Sequence, residues 1–336
     1  MFKVAILGAT GYTALELLKL LRRHPLVEVV AVTSRENTSP IAKVHPSLTG
    51  QYDICCENLA PKDLAQREVD TVFSCLPHTA TAAVAPDLLD LGMKVVDFGA
   101  DYRLNNAEVF NKWYNVVHPD PERLPLTPYG LPELFRDKIR DAKLVANPGC
   151  YPTSAILPLA PLLKDGYVDP SDIIIDSKSG VSGAGRKPSL KNLYPECNEA
   201  ISAYAVGAHR HTPEIEEVLT TASGFDAKVI FTPHLTPMDR GILTTTYTRP
   251  LKDATQEELL AYLRDFYKGE PFVQVVDELP STKDVIHTNR CHLTVRRVGA
   301  RILTISVIDN LIKGAAGAAV QNFNLIHGLD ETIALI

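Results

Sequence analysis

Runs of apolar residues of strand length alternate with amphipathic helical stretches over the first 150 residues. The first run is followed at once by a turn that contains glycine, and apolar residues then recur at the three- and four-residue spacing of a helix. The elements predicted in this half are strands at 2–7, 27–33, 71–74, 94–98 and 143–146, a turn at 8–11, and helices at 13–23 and 79–91. Strands that alternate with helices in this way are typical of a parallel, doubly wound sheet.

The second half has longer strands, along which apolar and polar residues alternate. This alternation is typical of a half-buried, largely antiparallel sheet. The elements predicted here are strands at 173–177, 228–232, 241–248, 292–297 and 301–308, and helices at 153–163, 212–223, 255–267 and 314–328. The predicted fold class is therefore α/β: a doubly wound parallel-sheet dinucleotide-binding domain joined to an α+β domain with a largely antiparallel sheet.

The change of pattern near residue 150 and the length of 336 residues both favour two domains. We predict the dinucleotide-binding domain at 1–149 and the second domain at 150–310. The last helix follows the final strand, and we expect residues 311–336 to return to the first domain.

The composition is that of an ordinary globular protein, with 45% hydrophobic and 22% charged residues. The net charge of −6 argues against a nucleic-acid-binding surface and favours small-molecule chemistry. The six cysteines form no CxxC pair, and we see no secretory segment, so we expect no disulfide framework, no metal site and a cytoplasmic location. No apolar run approaches the ~20 residues that span a bilayer, so no membrane contact is expected.

The turn after the first strand has the context of a dinucleotide site. Gly8 permits the turn, and Gly11 lets the backbone approach a pyrophosphate, whose charge is stabilised by free N–H groups at the helix N-terminus. Ala14 stands at the third small position of the fingerprint. A structural turn without a ligand is the alternative.

The end of the second strand favours NADP over NAD. An acidic residue normally holds the ribose there, whereas this chain has Ser34 and Arg35, a hydroxyl and a guanidinium that suit a 2′-phosphate. Glu36 follows at once and could reach a ribose, which leaves NAD as the alternative.

Cys150 is the candidate nucleophile. It lies between a predicted strand and a predicted helix, in a turn made rigid by Pro148, Gly149 and Pro152. A thiol at a helix N-terminus has its thiolate stabilised by the helix dipole, which lowers the pKa below the ~8.5 of a free thiol. The alternative is a small buried side chain, as most cysteines are.

His209 and His211 are the candidate proton-transfer groups. We predict that Thr212 and Pro213 are the N-cap and first residue of a helix, which places both imidazoles on the loop that enters it. Glu214 lies three residues beyond His211 and is expected to orient it. Two residues so close at a helix entry are expected to point in different directions, so only one would serve the cysteine.

Two loops carry arginines that suit an anion. Residues 179–187 are rich in glycine and end in Arg186 and a lysine, while Arg103 follows the strand at 94–98. Either loop is equally explained as a flexible surface segment.

Eight segments, spread in this order over nearly the whole chain, resemble those of the N-acetyl-gamma-glutamyl-phosphate reductase family of the longer type. They are GATGYTALELL, TSR, SCLPH, DFGADYRL, NPGCYPT, SGVSGAGR, HRHTPEI and NLIKGAAGAAVQN. The cysteine segment and HRHTPEI separate this family from aspartate-semialdehyde dehydrogenase, whose plan, like that of glyceraldehyde-3-phosphate dehydrogenase, is similar.

The resemblance implies an enzyme of arginine biosynthesis that reduces an acyl phosphate to the semialdehyde with NADPH and releases phosphate. It implies that Cys150 is the nucleophile and His211 the acid/base. Expected cofactor contacts are Gly8, Thr10, Gly11, Tyr12 and Thr13 at the phosphates, Ser34 and Arg35 at the 2′-phosphate, Asn310 near the nicotinamide, and Pro77, Ser182 and Gly183. Expected substrate contacts are Arg103, Arg186 and His209.

The chemistry of the residues agrees with this activity. A thiolate displaces phosphate from an activated acyl group, hydride reduces the thioester, and the thiohemiacetal collapses to the aldehyde as a proton is supplied. The alternatives are a reductase of a related acyl phosphate, such as aspartyl or carrier-bound aminoadipyl phosphate, and a non-catalytic NADP-sensing protein. A homo-oligomer, dimer or tetramer, is expected.

Overall fold

The computed structural model describes all 336 residues, which form two compact units. The first unit contains residues 1–148 and 315–336, and the second contains residues 149–314. The strands are β1 (Phe2–Leu7), β2 (Val27–Thr33), β3 (Cys56–Glu57), β4 (Thr71–Ser74), β5 (Lys94–Asp97), β6 (Leu144–Ala146), β7 (Val168–Gly180), β8 (Ser202–Ala203), β9 (Val229–Thr236), β10 (Ile242–Pro250), β11 (Val273–Val275), β12 (Cys291–Val298) and β13 (Arg301–Ile308). The helices are α1 (Tyr12–Arg22), α2 (Ile41–Val44), α3 (Pro61–Gln66), α4 (Ala85–Asp90), α5 (Ala107–Tyr114), α6 (Pro132–Arg140), α7 (Cys150–Lys164), α8 (Tyr194–Cys197), α9 (His211–Ser223), α10 (Gln256–Phe266) and α11 (Gly317–Ile326).

The sheet of the first unit is wholly parallel, with the strand order β3-β2-β1-β4-β5-β6. Its central strands are short apolar runs, and β4 is buried along its whole length. The strand order reverses between β1 and β4, and such a reversal opens a crevice at the carboxyl ends of the strands where ligands bind. This topology therefore positions a ligand at the turn that follows β1.

The C-terminal helix α11 belongs to the first unit, where every one of its residues is buried. It packs against α1, α6 and β5. The Phe323 ring meets the Phe2 ring edge-on at 5.8 Å, and Nε2 of His24 lies 2.9 Å from Oδ1 of Asn324. Residues far apart in the sequence thus share one core.

The second unit is a seven-stranded sheet with the order β11-β12-β13-β10-β7-β9-β8. Only the pairs β7/β9 and β11/β12 are parallel, and the other pairs are antiparallel. Helix α7 is apolar on all sides and nearly all of its residues are buried. It packs against β7, β10 and β13 and against helix α9. The packing of α7 on α9 determines the site described below.

The predicted fold class is confirmed: one sheet is parallel and doubly wound, and the other is mixed and mostly antiparallel. Three predicted helices begin three or more residues away from their predicted starts. The helix predicted at 153–163 begins at Cys150, so the cysteine lies inside it. The helix predicted at 79–91 begins only at Ala85, because Thr79 adopts a left-handed φ of +73°. The helix predicted at 314–328 begins at Gly317, after a π-helical turn at Ile312–Ala316. No helix combines the length and apolar character that crossing a membrane requires.

Candidate active site

The turn after β1 needs glycine at its first position. Gly8 has a φ of +76°, and a Cβ there would lie 2.6 Å from the carbonyl oxygen of Cys75. Its N–H donates to Oγ1 of Thr33 at 3.3 Å, and the N–H of Ala9 donates to the Thr33 carbonyl at 2.9 Å. The turn is therefore held against the ends of both β2 and β4, where a side chain would not fit.

The N-terminus of α1 is open to a ligand. Gly11 is the N-cap residue, and no side chain caps the helix. A Cβ at Gly11 would have only Oγ1 of Thr13, 3.9 Å away, within 4 Å. The geometry leaves room for a phosphate to approach the first backbone N–H groups, those of Tyr12 and Thr13 among them.

A cavity of about 510 Å³ lies beside this turn. Five of the predicted cofactor residues line it: Gly8, Thr10, Ser34, Arg35 and Pro77. Its other walls were not expected from the sequence. They include Asn58 and Leu59 in the connection from β3 to α3, Pro61 at the start of α3, Ala80 and Val84 ahead of α4, and Leu88 in α4. The cavity therefore combines a polar end with an apolar slot, as a nucleotide site requires.

The polar end of this cavity carries no buried acid. The Ser34 N–H donates to the Glu57 carbonyl at 3.0 Å, and its Oγ accepts the N–H of Asn37 at 3.1 Å. These bonds fix the Ser34 backbone and leave the hydroxyl hydrogen as a donor. Arg35 and Glu36 are both exposed beside it.

In the second unit, Cys150 is the first residue of α7. Gly149 is the N-cap residue in an extended conformation, and no side chain caps the helix. The Thr153 hydroxyl donates to the Gly149 carbonyl at 2.9 Å, which fixes the first turn. A half-buried thiol thus lies where the helix dipole favours a negative charge.

Glu214 links the cysteine turn to helix α9. Its carboxylate is 1% exposed, and Oε1 accepts the backbone N–H of Gly149 at 2.8 Å. The other oxygen, Oε2, lies 4.0 Å from Nε2 of His211. One buried anion therefore contacts both the residue before Cys150 and the imidazole that the sequence singled out.

His211 is the first residue of α9, with Arg210 at the N-cap position. The prediction that Thr212 is the N-cap and Pro213 the first residue was wrong, since Thr212 lies inside the helix and no side chain caps it. The Thr212 N–H instead donates to the His209 carbonyl at 2.9 Å. The helix begins at His211, two residues before Pro213, because the 209–212 turn continues directly into it.

The two imidazoles do not diverge, contrary to the sequence argument. The rings of His209 and His211 meet edge-on with centroids 4.8 Å apart. The Tyr151 ring, on the residue after Cys150, lies 5.7 Å from His209 and 5.9 Å from His211. Phe231 and Tyr204 complete an aromatic wall around His209.

The two histidines differ electrostatically. Burial, with a smaller effect of Arg210, lowers the pKa of His209 to about 4. Its Nδ1 accepts the backbone N–H of His211 at 3.1 Å and so carries no proton. His209 is therefore neutral near pH 7, whereas His211 lies next to the Glu214 carboxylate.

The aromatic wall was not anticipated from the sequence. The Tyr151 hydroxyl donates to the His234 carbonyl at 3.1 Å and accepts from the Tyr204 hydroxyl at 3.1 Å. Burial, and then the neighbouring Tyr204, raises the Tyr151 pKa, so both tyrosines stay neutral. The one feature of the sequence that indicated this wall was Tyr151, an aromatic residue directly after the candidate cysteine.

Ser182, Gly183 and Asn310 come together in the second unit. The Asn310 amide Nδ2 donates to the Ser182 hydroxyl at 3.0 Å, and its Oδ1 accepts the N–H of Gly241 at 2.8 Å. A Cβ on Gly183 would lie 3.7 Å from Nδ2 of Asn310. The side chain of Asn310 thus fixes this loop.

The two predicted substrate arginines have different surroundings. Arg103 is 9% exposed and donates to the carbonyls of Asn147 and Phe98, both at 2.8 Å. These bonds hold the chain just ahead of the cysteine turn. Arg186 is exposed in the loop after the Val181–Ala184 turn.

Comparison with known families gives two matches that together span most of the chain. The family described as "Semialdehyde dehydrogenase, NAD binding domain" matches residues 3–142. The family described as "Semialdehyde dehydrogenase, dimerisation domain" matches residues 150–310.

Among solved structures, the chain resembles aspartate semialdehyde dehydrogenase II from Vibrio cholerae complexed with ASA. The TM-score is 0.74 at 17% identity, over 98% of both chains. The aspartate semialdehyde dehydrogenase from Candida albicans with NADP gives a TM-score of 0.74 at 16% identity, over 99% of both chains. These structures share the fold of this chain.

Curated relatives are much more similar in sequence. The N-acetyl-gamma-glutamyl-phosphate reductases of Rhodopirellula baltica and Moorella thermoacetica are each 51% identical, over 99% and 100% of this chain and 98% of theirs. That of Desulforudis audaxviator is 52% identical over 100% of this chain and 98% of its own. On this near-complete similarity, the chain belongs to the N-acetyl-gamma-glutamyl-phosphate reductase family.

Proposed function

We propose that this protein reduces N-acetyl-gamma-glutamyl phosphate to N-acetylglutamate 5-semialdehyde with NADPH and releases inorganic phosphate, as a step of arginine biosynthesis. The observation that carries the proposal is the junction of α7 and α9. There a thiol begins one helix, an imidazole begins the other, and the Glu214 carboxylate binds the backbone beside the thiol.

Cys150 acts as the nucleophile. Its thiolate attacks the acyl carbon, an S–C bond forms, and the C–O bond to phosphate breaks, so that inorganic phosphate leaves and a thioester remains. The N-terminus of α7 stabilises the thiolate before it attacks the acyl carbon. It stabilises the thiolate again when the C–S bond breaks and the aldehyde leaves.

His211 moves the proton of the reaction. It protonates the oxygen of the tetrahedral thiohemiacetal and takes that proton back when the thiohemiacetal collapses, as the C=O bond of the aldehyde forms, the C–S bond breaks and the sulfur leaves as a thiolate. The proton that the overall reaction consumes goes to the departing phosphate. Glu214, 4.0 Å away, stabilises the charged imidazole between turnovers. Its bond to Gly149 also keeps the imidazole and the cysteine turn in a fixed relation.

The residues around the cavity fit NADP. When bound, NADPH supplies the hydride that reduces the thioester carbon. Gly8, Thr10, Gly11, Tyr12 and Thr13 would hold the phosphates at the turn and the N-terminus of α1. Ser34 and Arg35 would hold the 2′-phosphate, and Pro77, Ser182, Gly183 and Asn310 are the further cofactor residues. Position 34 is a serine and not an acidic residue. This supports NADP, because a carboxylate there would repel the 2′-phosphate.

For the substrate we propose contacts to Arg103, Arg186 and His209. Arginine suits a phosphate because its donors form a rigid fork, and a neutral His209 suits the uncharged part of the acyl chain. His209 lies against the His211 ring, which supports its place beside the reacting group.

We propose that residues 1–149 with 311–336 form the NADP-binding domain and residues 150–310 the catalytic and oligomerisation domain. The description of the matched family at 150–310 as a dimerisation domain supports a homo-oligomer, a dimer or a tetramer. A cytoplasmic location is proposed from the scattered cysteines.

The reaction run in reverse tests the proposal. Purified protein is mixed with N-acetylglutamate semialdehyde, NADP and inorganic phosphate, and NADPH is followed by absorbance. We expect phosphate-dependent reduction of NADP, with aspartate semialdehyde at least about 100-fold poorer in kcat/KM, as for a site built around a polar group that the wrong substrate lacks. A preference for aspartate semialdehyde would identify the related acyl-phosphate reductase instead, and no reduction with either would favour the NADP-sensing alternative.

A further inference from the structure

The backbone of Gly314 packs directly against the root of the Cys150 side chain. A Cβ built on Gly314 would lie 2.8 Å from Cβ of Cys150 and 3.1 Å from its Cα. These are atoms at the root of the side chain, so no flexible tip can move aside. Only a glycine permits this approach.

Gly314 reaches this position through an irregular turn. Its N–H donates to the Asp309 carbonyl at 2.9 Å, five residues back, and the turn is part of the π-helical segment Ile312–Ala316. Such turns are rare and are concentrated at functional sites, because they displace one residue from the regular helical path. Here the displaced backbone is the part that meets Cys150.

The turn is anchored by the side chain of Asp309, which is wholly buried. Its Oδ1 accepts the N–H groups of Leu311 and Ile312 at 2.7 and 3.0 Å. Its Oδ2 accepts the N–H of His287 at 2.7 Å and lies 3.3 Å from Nη1 of Arg240. The turn is therefore fixed to two other segments of the second unit.

Helix α7 cannot move away from an added methyl group either. The Ser154 hydroxyl lies 2.6 Å from Oγ1 of Thr244 in β10, and the Ser306 hydroxyl in β13 donates to the Ser154 carbonyl at 2.6 Å. The Gly149 N–H is bound by Glu214 on α9. The start of α7 is thus held from the sheet at Ser154 and from α9 at Gly149, and the Gly314 backbone lies against Cys150.

We infer that Gly314 is a positioning residue for the reaction: its bare backbone, held by Asp309, sets where the Cys150 side chain stands. The inference rests on the proposed role of Cys150 as the nucleophile. A thiolate must stand within a few tenths of an ångström of its attack position, and a displacement of 1 Å costs about 100-fold in rate. The wall formed by Gly314 supplies that constraint.

The first test is Gly314→Ala. We expect kcat to fall by about 10- to 100-fold, the range for a nucleophile displaced by less than 1 Å, with the Kd for NADPH within about twofold of the wild type. The rate of Cys150 alkylation by iodoacetamide, measured against pH, reports the thiol directly, and its midpoint is expected to shift. Wild-type kcat together with a wild-type alkylation profile would overturn the inference.

A double-mutant cycle tests the contact without any reference to activity. Gly314→Ala is expected to lower Tm in the wild type and to lower it less in the Cys150→Gly background, which lacks the clashing Cβ. Equal losses in the two backgrounds would contradict the contact. This cycle needs no turnover, so its outcome does not depend on the proposed function. A failure of the proposed function would be seen separately, as activity retained in a variant that lacks Cys150.

Asp309→Asn covers the case in which Gly314→Ala does not fold. The amide has the size of the carboxylate but presents an N–H₂ group to donors such as the His287 N–H, so the anchor weakens while the turn gains no volume. We expect a smaller fall in kcat, about three- to tenfold, and an alkylation midpoint shifted as in Gly314→Ala. A folded Asp309→Asn protein with the wild-type alkylation profile and kcat would overturn the role of the turn.

Discussion

The carboxylate of Glu214 accepts a hydrogen bond of 2.8 Å from the backbone N–H of Gly149. The two residues are 65 positions apart: Gly149 is the N-cap residue of α7, and Glu214 lies in the first turn of α9. The sequence indicated Glu214 only as the partner of the His211 imidazole. Its carboxylate therefore has a second role, which is to hold the cysteine turn. Its two functions, as an anion and as a hydrogen-bond acceptor, can be separated by mutation.

Glu214→Gln is expected to keep the acceptor for Gly149 and to remove the charge beside His211. We expect kcat to fall by about 10-fold or more, within the range of general acid–base effects, while the thermal stability changes little. Glu214→Ala is expected to cost about 1–3 kcal/mol in addition, because the Gly149 N–H is left buried without a partner. Urea unfolding and steady-state kinetics on the pair separate the two functions, and identical stabilities would show that the bond to Gly149 does not matter.

Cys150→Ser is expected to abolish turnover while the affinity for NADPH stays within a few fold. A serine hydroxyl forms no accessible anion near neutral pH, whereas the predicted phosphate contacts of the cofactor lie in a different segment of the chain. The measurements are the phosphate-dependent assay and the fluorescence of bound NADPH. Activity above a few per cent of the wild type would refute the assignment of the nucleophile.

Arg35→Ala is expected to weaken NADPH binding by about 1.5–3 kcal/mol, the value of a charge-assisted hydrogen bond, and to leave NADH binding nearly unchanged. Glu36→Gln is the matched control, since this residue is the exposed neighbour on the same turn. It is expected to leave the preference for NADPH intact or to increase it slightly. Titration of both cofactors gives the answer; an equal loss for the two after Arg35→Ala would mean that the guanidinium binds something other than the 2′-phosphate.

The sequence predicted the elements whose signal is local. Strands such as β1 and β13 are apolar or alternating runs, and their predicted bounds, 2–7 and 301–308, match the structure. The start of α4 was misjudged because a distant residue decides it. The Asp101 carboxylate accepts the N–H groups of Thr79 and Ala82 at 2.6 and 2.9 Å, and this holds the segment before α4 out of a helix.

Some parts of the candidate site were not predicted from the sequence, because they are short elements, polar segments or contacts between residues far apart in the chain. Strand β3 has only two residues, and α3 begins at Pro61, where the Asp63 carboxylate accepts the N–H of Ala60 at 2.8 Å. A proline followed two residues later by an acid was the available signal for this helix start. The approach of Gly314 to Cys150 has no such signal, because it depends on how β13 and α7 pack.

The half-buried His209 predicts an acid-dependent loss of stability. Its pKa is about 4 in the folded protein and near 6.5 in the unfolded chain, so the unfolded state binds more protons between these values. The stabilisation from the neutral ring is complete above pH 6.5 and declines as the pH falls towards 4. Between pH 7 and pH 5, the wild type is expected to lose on the order of 1 kcal/mol more free energy of unfolding than His209→Asn. Urea denaturation of both proteins at the two pH values measures the difference, and parallel losses would contradict it.

The same two histidines give the most discriminating prediction about the chemistry. Their rings touch, at 4.8 Å between centroids, so distance alone does not choose between them. The polar contacts of the two rings distinguish them. Nδ1 of His209 is occupied by the backbone N–H of His211, and the ring is neutral near pH 7, whereas Nε2 of His211 lies 4.0 Å from Oε2 of Glu214.

We therefore expect His211→Asn to lower kcat by about 10²- to 10⁴-fold and to flatten one limb of the pH–rate profile, because the proton donor is gone. His209→Asn is expected to act chiefly on KM, since a neutral ring beside the reacting group binds substrate rather than transferring a proton. Full pH profiles of kcat and of kcat/KM for the wild type and both variants make the comparison. If the fall in kcat and the altered limb followed His209 while His211→Asn was mild, the two roles would be exchanged, and the Glu214 carboxylate would act through Gly149 alone.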